Sequence, residues 1–248
     1  MINELYRTAD EYGEIVVVEL GDKRILNFAS GLQQSAIYPH KPYSLVHEYT
    51  QIMLLGLIFV EAKNIAIFGL GGGGLVHCLS HYYPQVKLQA VELRQAVVDV
   101  AYDWFYLPKN ENINVYCDDA TKFVKNLDKE CVDIVFSDLY EAQGMSDAQL
   151  QSEFIIDSYM ALNEHACLVV NFHYLPDGDA IVLEQIRRLF SCVYLCDVFK
   201  GNQVLFCIKS NLDVDKDELK KRASRLAKTM DLPLKYYFKQ LRKLPACE

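Results

Sequence analysis

From residue 64 onwards, short apolar runs alternate with longer amphipathic stretches. A short apolar run predicts a buried strand, and apolar residues at helical spacing predict an amphipathic helix. The strands predicted in this way are 65–69, 86–92, 113–116, 132–138 and 166–171. The helices predicted between them end at Tyr82, begin at Gln95 and at Thr121, and span 148–162 and 178–189. This alternation indicates an α/β fold with a parallel sheet and crossover helices.

The pattern changes after residue 190. Residues 193–199 and 203–208 are strand-like and are separated by a short turn at 200–202, so we expect an antiparallel hairpin. Apolar residues at helical spacing then predict two terminal helices, 213–230 and 234–244.

The N-terminal part has a different character. Residues 14–20 and 24–28 are rich in β-branched and apolar residues and flank a turn that contains Gly21, which predicts a β-hairpin. Long apolar residues at helical spacing predict a helix over 43–59, with Pro42 in its first turn. We therefore predict two domains: a small β-hairpin module with a helix at 1–60, and an α/β domain with C-terminal helices at 61–248.

Composition narrows the class of protein. A chain of 248 residues, of which 51% are hydrophobic and 23% charged, is long enough to bury one large core. The formal net charge of -8 disfavours nucleic acid as a partner, because such proteins carry a clustered basic face. The basic stretches 220–225 and 235–243 are interpreted as solvated helix faces. The longest apolar stretch, 52–60, is too short to span a membrane, so no membrane partner is expected.

The cysteines favour a reducing compartment. None of them forms the close CxxC pair that zinc or redox chemistry prefers, so no metal is expected. Several lie in apolar runs, where a free thiol packs as a small hydrophobic group. The start of the chain also lacks the features of a signal peptide. We therefore predict a cytoplasmic protein. The eight cysteines are Cys78, Cys117, Cys131, Cys167, Cys192, Cys196, Cys207 and Cys247.

A run of glycines, Gly69 to Gly74 with Leu70 among them, ends one predicted strand and opens the next helix. Glycines in this context let the main chain turn tightly and approach a ligand, although a glycine run alone could be a turn. Glu92 closes the following strand, where its carboxylate can accept hydrogen bonds from both ribose hydroxyls of a nucleoside. The alternative is a solvated carboxylate at a strand end.

Two further pairs of carboxylates follow predicted strands. Asp118 and Asp119 come after 113–116; one of them can accept from an adenine amino group, and one is expected to cap the next helix. Asp138 ends the fourth strand, and Glu141 lies three residues further on. Carboxylates there can clamp a cationic amine and accept its proton, unless Asp138 is a cap and Glu141 is solvated.

These motifs, in this order, resemble the spermidine synthase family of polyamine aminopropyltransferases over roughly four fifths of the chain. The matching pieces are the N-terminal hairpin, the segment 31–35, His47 with Glu48, the glycine loop, Glu92, Asp119 with Ala120, and Asp138. The resemblance implies a Rossmann-type sheet like that of S-adenosylmethionine-dependent methyltransferases, preceded by a small β-module. It implies decarboxylated S-adenosylmethionine as donor, a polyamine-type amine such as putrescine as acceptor, methylthioadenosine as product, and a homodimer.

Carried over to this chain, the resemblance assigns Glu92 to the ribose, Asp119 to the adenine and Asp138 to the amine as its base. Gln33 or Gln34, together with His47, would line the cleft from the N-terminal side. The glycine loop at Gly69, Gly71, Gly72 and Gly74 would hold the nucleoside.

The chain departs from the family at three positions. Gly72 replaces an aspartate that faces the donor's ammonium group, Val46 replaces a tyrosine, and Glu141 replaces an aspartate. The Gly72→Asp variant is therefore expected to restore preference for the decarboxylated donor. The departures keep two alternatives open: a methyltransferase that uses intact S-adenosylmethionine, and a non-catalytic homologue that retains nucleoside binding. An NAD-dependent oxidoreductase is a further alternative, because the glycine run also satisfies the dinucleotide fingerprint.

Overall fold

The computed structural model describes residues 2–28, 33–141, 144–173, 181–199, 201–210 and 215–246. Outside these ranges lie Gly31 and Leu32 of the family segment, Lys200 of the predicted turn, and Cys247. The predicted starts of two helices, at Gly178 and Asp213, also lie outside them.

The N-terminal module is a four-stranded antiparallel sheet in the order β1-β2-β3-β4. Its strands are β1 Ile2–Asp10, β2 Gly13–Leu20, β3 Lys23–Phe28 and β4 Gln33–Ile37. The predicted hairpin is confirmed as β2 and β3, whose register runs from Ile15 opposite Phe28 to Leu20 opposite Lys23. The sequence did not reveal β1, most of whose side chains are exposed.

The helix predicted over 43–59 is wrong in extent. The structure has helix α1 at Glu48–Met53 and a 3-10 helix at Leu54–Ile58. Gly56 lies in this 3-10 helix, and its main chain is so close to the large sheet that an added Cβ would be 2.7 Å from Val169 Cγ2. The segment before α1 forms turns, with the amide of Lys41 donating to the carbonyl of Tyr38.

The second sheet has eight strands in the order β14-β12-β13-β11-β8-β5-β6-β7. Neighbours among β5, β6, β7, β8 and β11 are parallel, whereas β13 is antiparallel to β11 and β12 is antiparallel to β13 and β14. The predicted parallel sheet with a C-terminal hairpin is therefore confirmed. The strands are β5 Asn64–Phe68, β6 Lys87–Glu92, β7 Ile113–Cys117, β8 Val132–Ser137, β11 Leu162–Phe172, β12 Cys192–Asp197, β13 Gln203–Ile208 and β14 Arg242–Lys243. A separate small hairpin consists of β9 Tyr140–Glu141 and β10 Gly144–Met145.

Helices cover both faces of this sheet, which is why its strands read as continuous apolar runs. Alternate residues of β5 show the division: Ile65 and Ile67 belong to one buried cluster, and Ala66 and Phe68 belong to the other. Helix α3, Gln95–Phe105, lies between the two sheets, since Val98 faces the large sheet and other residues of α3 pack on the N-terminal strands. The remaining helices are α2 Gly74–Tyr82, α4 Ala120–Lys125, α5 Ser152–Ala161, α6 Ile181–Leu189, α7 Lys216–Met230 and α8 Leu234–Gln240.

The helix predicted over 148–162 is also interrupted. A 3-10 helix, Asp147–Leu150, precedes α5, and the main chain at Gln151 between them is extended. Gln149 accounts for the break, because its side chain is fully buried and bonded to the end of β8. β11 begins at Leu162, four residues earlier than the sequence predicted, and α8 ends at Gln240, four residues earlier than predicted.

Candidate functional site

A cavity of about 860 Å³ lies at the carboxyl ends of β5, β6 and β8, and residues of β4 and α1 line its other side. This is the edge at which open α/β sheets bind their ligands. The structure brings most of the predicted site residues to its wall: Gln34, His47, Gly69, Gly71, Gly74, Glu92, Asp118, Asp119 and Asp138. Val46 lies there too. The side chains of Gln33 and Glu141 lie outside the described part of the structure.

The glycine loop has the tight geometry that the sequence predicted. Gly69, Gly71 and Gly73 have positive φ angles of 92°, 53° and 76°, a region that favours glycine. A Cβ at Gly69 would lie 2.2 Å from the carbonyl oxygen of Asp138. A side chain at residue 69 would therefore separate the loop from the end of β8.

Gly72 lies behind the cavity wall, against helix α3. An added Cβ would lie 2.6 Å from Cδ1 of Phe105, which is fully buried, and 3.0 Å from Ser35 Oγ. A side chain at residue 72 would therefore require the Phe105 ring to shift. The expectation that Gly72→Asp restores preference for the decarboxylated donor stays a prediction, and it requires the Phe105 ring to move.

Glu92 connects the end of β6 to the glycine loop. Its Oε2 accepts hydrogen bonds from the amides of Leu70 at 3.1 Å and Gly71 at 3.3 Å, and its Oε1 accepts from the amide of Arg94 at 3.2 Å. Burial raises the pKa of Glu92, and these amide donors oppose that effect. The carboxylate therefore holds the loop in place and also faces the cavity.

Asp118 and Asp119 have different local roles. Asp119 is the N-cap of α4: its carboxylate accepts from the Thr121 amide at 2.8 Å and from the Thr121 hydroxyl at 2.7 Å. Burial acts to raise the pKa of Asp119, but the hydrogen bonds from Thr121 oppose this effect, and the pKa lies below its usual value. Asp118 is exposed and accepts from the Asp119 amide at 2.8 Å. One of the pair is thus a helix cap, as expected, and the assignment of Asp119 to adenine stays a prediction.

Asp138 lies at the end of β8 and is held by two donors. The Asn171 side-chain amide donates to its Oδ1 at 2.8 Å, and the Tyr49 hydroxyl also bonds its carboxylate. Burial raises the pKa of Asp138 to about 6, although both hydrogen bonds act to lower it. A carboxylate with such a pKa is ionised at neutral pH and can still accept a proton in a reaction.

Sequence reasoning missed the polar residues around Asp138. Asn171 is fully buried, and its Oδ1 accepts from Asn202 Nδ2 at 3.0 Å. The same amide of Asn202 donates to the Tyr140 hydroxyl at 3.1 Å. An asparagine within the apolar run of β11 was the available signal, because a buried amide needs hydrogen-bond partners. The family that this chain resembles has a tyrosine at the position of Val46. Tyr49 lies three residues further along the chain.

Within the described ranges, no cluster of three or more His, Cys, Asp or Glu side chains could hold a metal ion. In that part of the chain there is likewise no helix with the length and apolar character required to cross a membrane.

Known proteins are similar to this chain in sequence and in fold. Residues 46–191, more than half of the chain, match the family described as the spermine/spermidine synthase domain. The chain is 27% identical over 230 residues to the polyamine aminopropyltransferase of Neisseria meningitidis serogroup A, which covers 89% of this chain and 86% of that protein. This agreement confirms the family resemblance.

The fold is similar to that of a probable spermidine synthase from Corynebacterium glutamicum, with a TM-score of 0.75, 18% identity, and coverage of 96% of this chain and 89% of that chain. It is also similar to human methyltransferase-like protein 13 in complex with SAH, with a TM-score of 0.67, 20% identity, and coverage of 76% of this chain and 94% of that chain. These structures confirm the predicted fold class.

Proposed function

The chain belongs to the spermine/spermidine synthase family, and from this premise we propose that it transfers an aminopropyl or related alkyl group to an amine. The donor in this proposal is decarboxylated S-adenosylmethionine and the acceptor is a polyamine-type amine. The observation that carries the proposal is that Glu92 and Asp138 line one cavity, on either side of the glycine loop. The carboxylate that would bind the nucleoside and the carboxylate that would accept the proton therefore face the same cavity.

In the nucleoside part of the cavity, Glu92 would accept hydrogen bonds from the ribose hydroxyls, and the main chain of the glycine loop would lie against the ligand. Hydrogen bonds to a charged acceptor contribute roughly 1.5 to 3 kcal/mol each. Asp118 or Asp119 would accept from the adenine amino group, and Gln34 and His47 would close the cavity from the N-terminal side. All of these side chains line the cavity, which supports the assignment.

On the acceptor side, the amine nitrogen would attack the aminopropyl carbon that is bonded to the donor's sulfonium. The C–N bond forms as the C–S bond breaks, and the electron pair of the broken bond returns to sulfur. The product is then the neutral thioether methylthioadenosine. Asp138 would take the proton from the amine, with Tyr49 and Asn171 holding its carboxylate in position.

A second candidate function is methyl transfer from intact S-adenosylmethionine. The observation that favours it is that residue 72 is a glycine packed against Phe105, so this position of the loop carries no carboxylate. Without that carboxylate, the chain lacks one charge that would select an aminopropyl ammonium. The nucleoside contacts and the base are common to both candidates.

Product analysis separates the two candidates. The purified chain is incubated with a diamine and either decarboxylated or intact S-adenosylmethionine, and the nucleoside product is identified by chromatography. We expect methylthioadenosine from the decarboxylated donor, and none from the Asp138→Asn variant. S-adenosylhomocysteine as the main product would favour methyl transfer instead. Nucleoside binding without any turnover would contradict both and favour a non-catalytic homologue.

We also propose that the protein is a cytoplasmic homodimer. The seven cysteines in the described part of the chain are free thiols, which suits a reducing compartment. Strand β1 lies at the edge of its sheet with Ile2 and Tyr6 exposed, and an open edge of this kind can pair with another copy. Light scattering at micromolar concentration tests the dimer, and a monomer mass would contradict it.

A further inference from the structure

Arg94 lies two residues beyond Glu92, at the junction between the large sheet and the N-terminal sheet. Only 6% of it is exposed. Its Nε donates to Asp10 Oδ2 at 3.0 Å and its Nη2 donates to Asp10 Oδ1 at 2.7 Å. The same Nη2 also donates to the carbonyl of Gly13 at 2.8 Å. Arg94 therefore holds the turn between β1 and β2 with a two-pronged ion pair.

The same arginine contacts two parts of the cavity wall. Its guanidinium lies 4.4 Å from the ring centre of Phe28, which is buried and lines the cavity. Its main-chain amide donates to Glu92 Oε1 at 3.2 Å. One residue thus connects the β1–β2 turn, an aromatic wall of the cavity and the predicted ribose carboxylate.

We propose that Arg94 is a positioning residue for nucleoside binding, which fixes Glu92 and Phe28 relative to each other by anchoring the N-terminal sheet through Asp10. This inference rests on the proposed function, because it concerns the same nucleoside site. It assigns to the N-terminal sheet a direct part in donor affinity.

The chemistry of the pair supports this role. A planar guanidinium that bonds both oxygens of one carboxylate fixes orientation as well as distance, which a lysine does not. Breaking a buried pair by removing one partner leaves an uncompensated charge, so the remaining group has to move toward water. If Asp10 or Arg94 is neutralised, the turn and the Phe28 wall therefore lose their fixed position relative to Glu92.

Arg24 offers a matched control. It is 9% exposed, and it also connects the N-terminal sheet to α3, through its bond to the carbonyl of Trp104 at 2.6 Å. Its other bond, to Glu19 at 2.6 Å, lies within the N-terminal sheet. Neither of these partners lines the cavity. Loss of Arg24 should thus loosen the same junction without disturbing the nucleoside site.

The test measures binding of methylthioadenosine by calorimetry in the full chain and in the Arg94→Gln, Asp10→Asn and Arg24→Gln variants, together with their thermal midpoints. We expect all three midpoints to fall. Affinity should fall at least tenfold in the Arg94→Gln and Asp10→Asn variants and less than twofold in the Arg24→Gln variant. Arg94→Lys keeps the charge without the two-pronged geometry and should give an intermediate affinity.

Steady-state kinetics supplies a readout that a purely structural role would not move: the KM for the donor should rise while the KM for the acceptor stays unchanged. Wild-type affinity in the Arg94→Gln variant would overturn the role of Arg94 but not the nucleoside site. An affinity loss in the Arg24→Gln variant equal to that in the Arg94→Gln variant would have the same consequence. Absence of binding by the wild-type chain would overturn the nucleoside site, and the role of Arg94 with it. If Arg94→Gln does not fold, Asp10→Asn decides, because Asp10 is more exposed and keeps its size in the variant.

Discussion

The carboxyl group of Asp138 links the pH dependence of stability to that of the proposed reaction. Its pKa in the folded chain is about 6, above the value of about 3.9 for an unperturbed aspartate. The stability associated with this raised pKa is fully present below pH 4 and is lost as the pH rises through 6. Folding above pH 6 therefore requires burial of a charge at this position.

Asp138→Asn should accordingly stabilise the protein at pH 8 while it abolishes turnover. We expect a gain of about 2 to 3 kcal/mol in the free energy of unfolding at pH 8, since the pKa of Asp138 rises from about 3.9 to about 6 on folding and one pKa unit corresponds to about 1.4 kcal/mol. The gain should be about half as large at pH 5, where the folded carboxyl is largely protonated but the unfolded one is still mostly ionised. Urea unfolding at both pH values measures it, and an equal gain at the two would contradict the assigned pKa.

Tyr49→Phe tests the hydrogen bond to the same carboxyl group. The Tyr49 hydroxyl lowers the pKa of Asp138, so its removal should raise that pKa further. The acid limb of the rate profile, which rises as Asp138 loses its proton, should move to higher pH. Tyr140→Phe is the control, because the Tyr140 hydroxyl is bonded to Asn202 rather than to Asp138. A limb that stays in place in the Tyr49→Phe variant would exclude this hydrogen bond.

The sequence could predict the residues whose position follows from a strand end. Glu92 and Asp138 each close a strand, and parallel strands bring such residues to one edge. Tyr49 and Asn202 could not be found in this way, because they reach Asp138 and Asn171 from a helix and a hairpin turn far apart in the chain. Nor could the sequence reveal that Gly72 faces Phe105, a contact set by how α3 packs against the loop.

At the scale of elements, the cap of α4 distinguishes the two adjacent aspartates. Asp119 accepts two hydrogen bonds from Thr121 at the start of this short helix, whereas Asp118 is exposed. Asp119→Ala should therefore cost about 1 kcal/mol of stability, the usual value for an N-cap. Asp118→Ala should cost less. Chemical denaturation of the two variants measures the difference, and a larger loss in the Asp118→Ala variant would reverse the assignment.

Element type was easier to predict than element extent. The strands of the large sheet are short apolar runs buried on both faces, so their pattern alone identifies them. The two helices that were predicted too long, over 43–59 and 148–162, are interrupted by tertiary contacts. Gly56 allows close approach to Val169, and Gln149 turns its side chain into the end of β8. Neither contact is local in sequence, and helical periodicity continues through both.

At the scale of the whole molecule, the segment that joins the two sheets is part of the core of the larger one. Ile52, Met53, Leu54 and Leu55 are fully buried in the cluster that also holds Phe136 of β8. The predicted domain boundary at residue 60 stays a prediction, but α1 and the 3-10 helix after it pack on the large sheet. The stability of the α/β unit should therefore depend on them.

Two truncated chains test this dependence. A chain of residues 61–248 lacks the buried side chains of 52–58, and burial of each such aliphatic side chain contributes roughly 1.5 to 3 kcal/mol. Their sum is comparable to the whole stability of a domain, about 5 to 15 kcal/mol. This chain should not unfold cooperatively. A chain of residues 41–248 keeps the segment and loses only the N-terminal sheet, so it should melt cooperatively at a lower temperature than the full chain.

The single tryptophan reports on the same experiment. Trp104 of α3 stacks on Tyr6 of β1, with ring centres 5.3 Å apart, so removal of the N-terminal sheet should expose its ring and shift its fluorescence to longer wavelength. The shift should occur in the 41–248 chain even though the thermal transition of that chain, followed by circular dichroism, is still cooperative. A contrary result would be a cooperative transition of the 61–248 chain at the temperature at which the 41–248 chain melts. The large sheet would then be stable without the side chains of the joining segment, and that segment would add little.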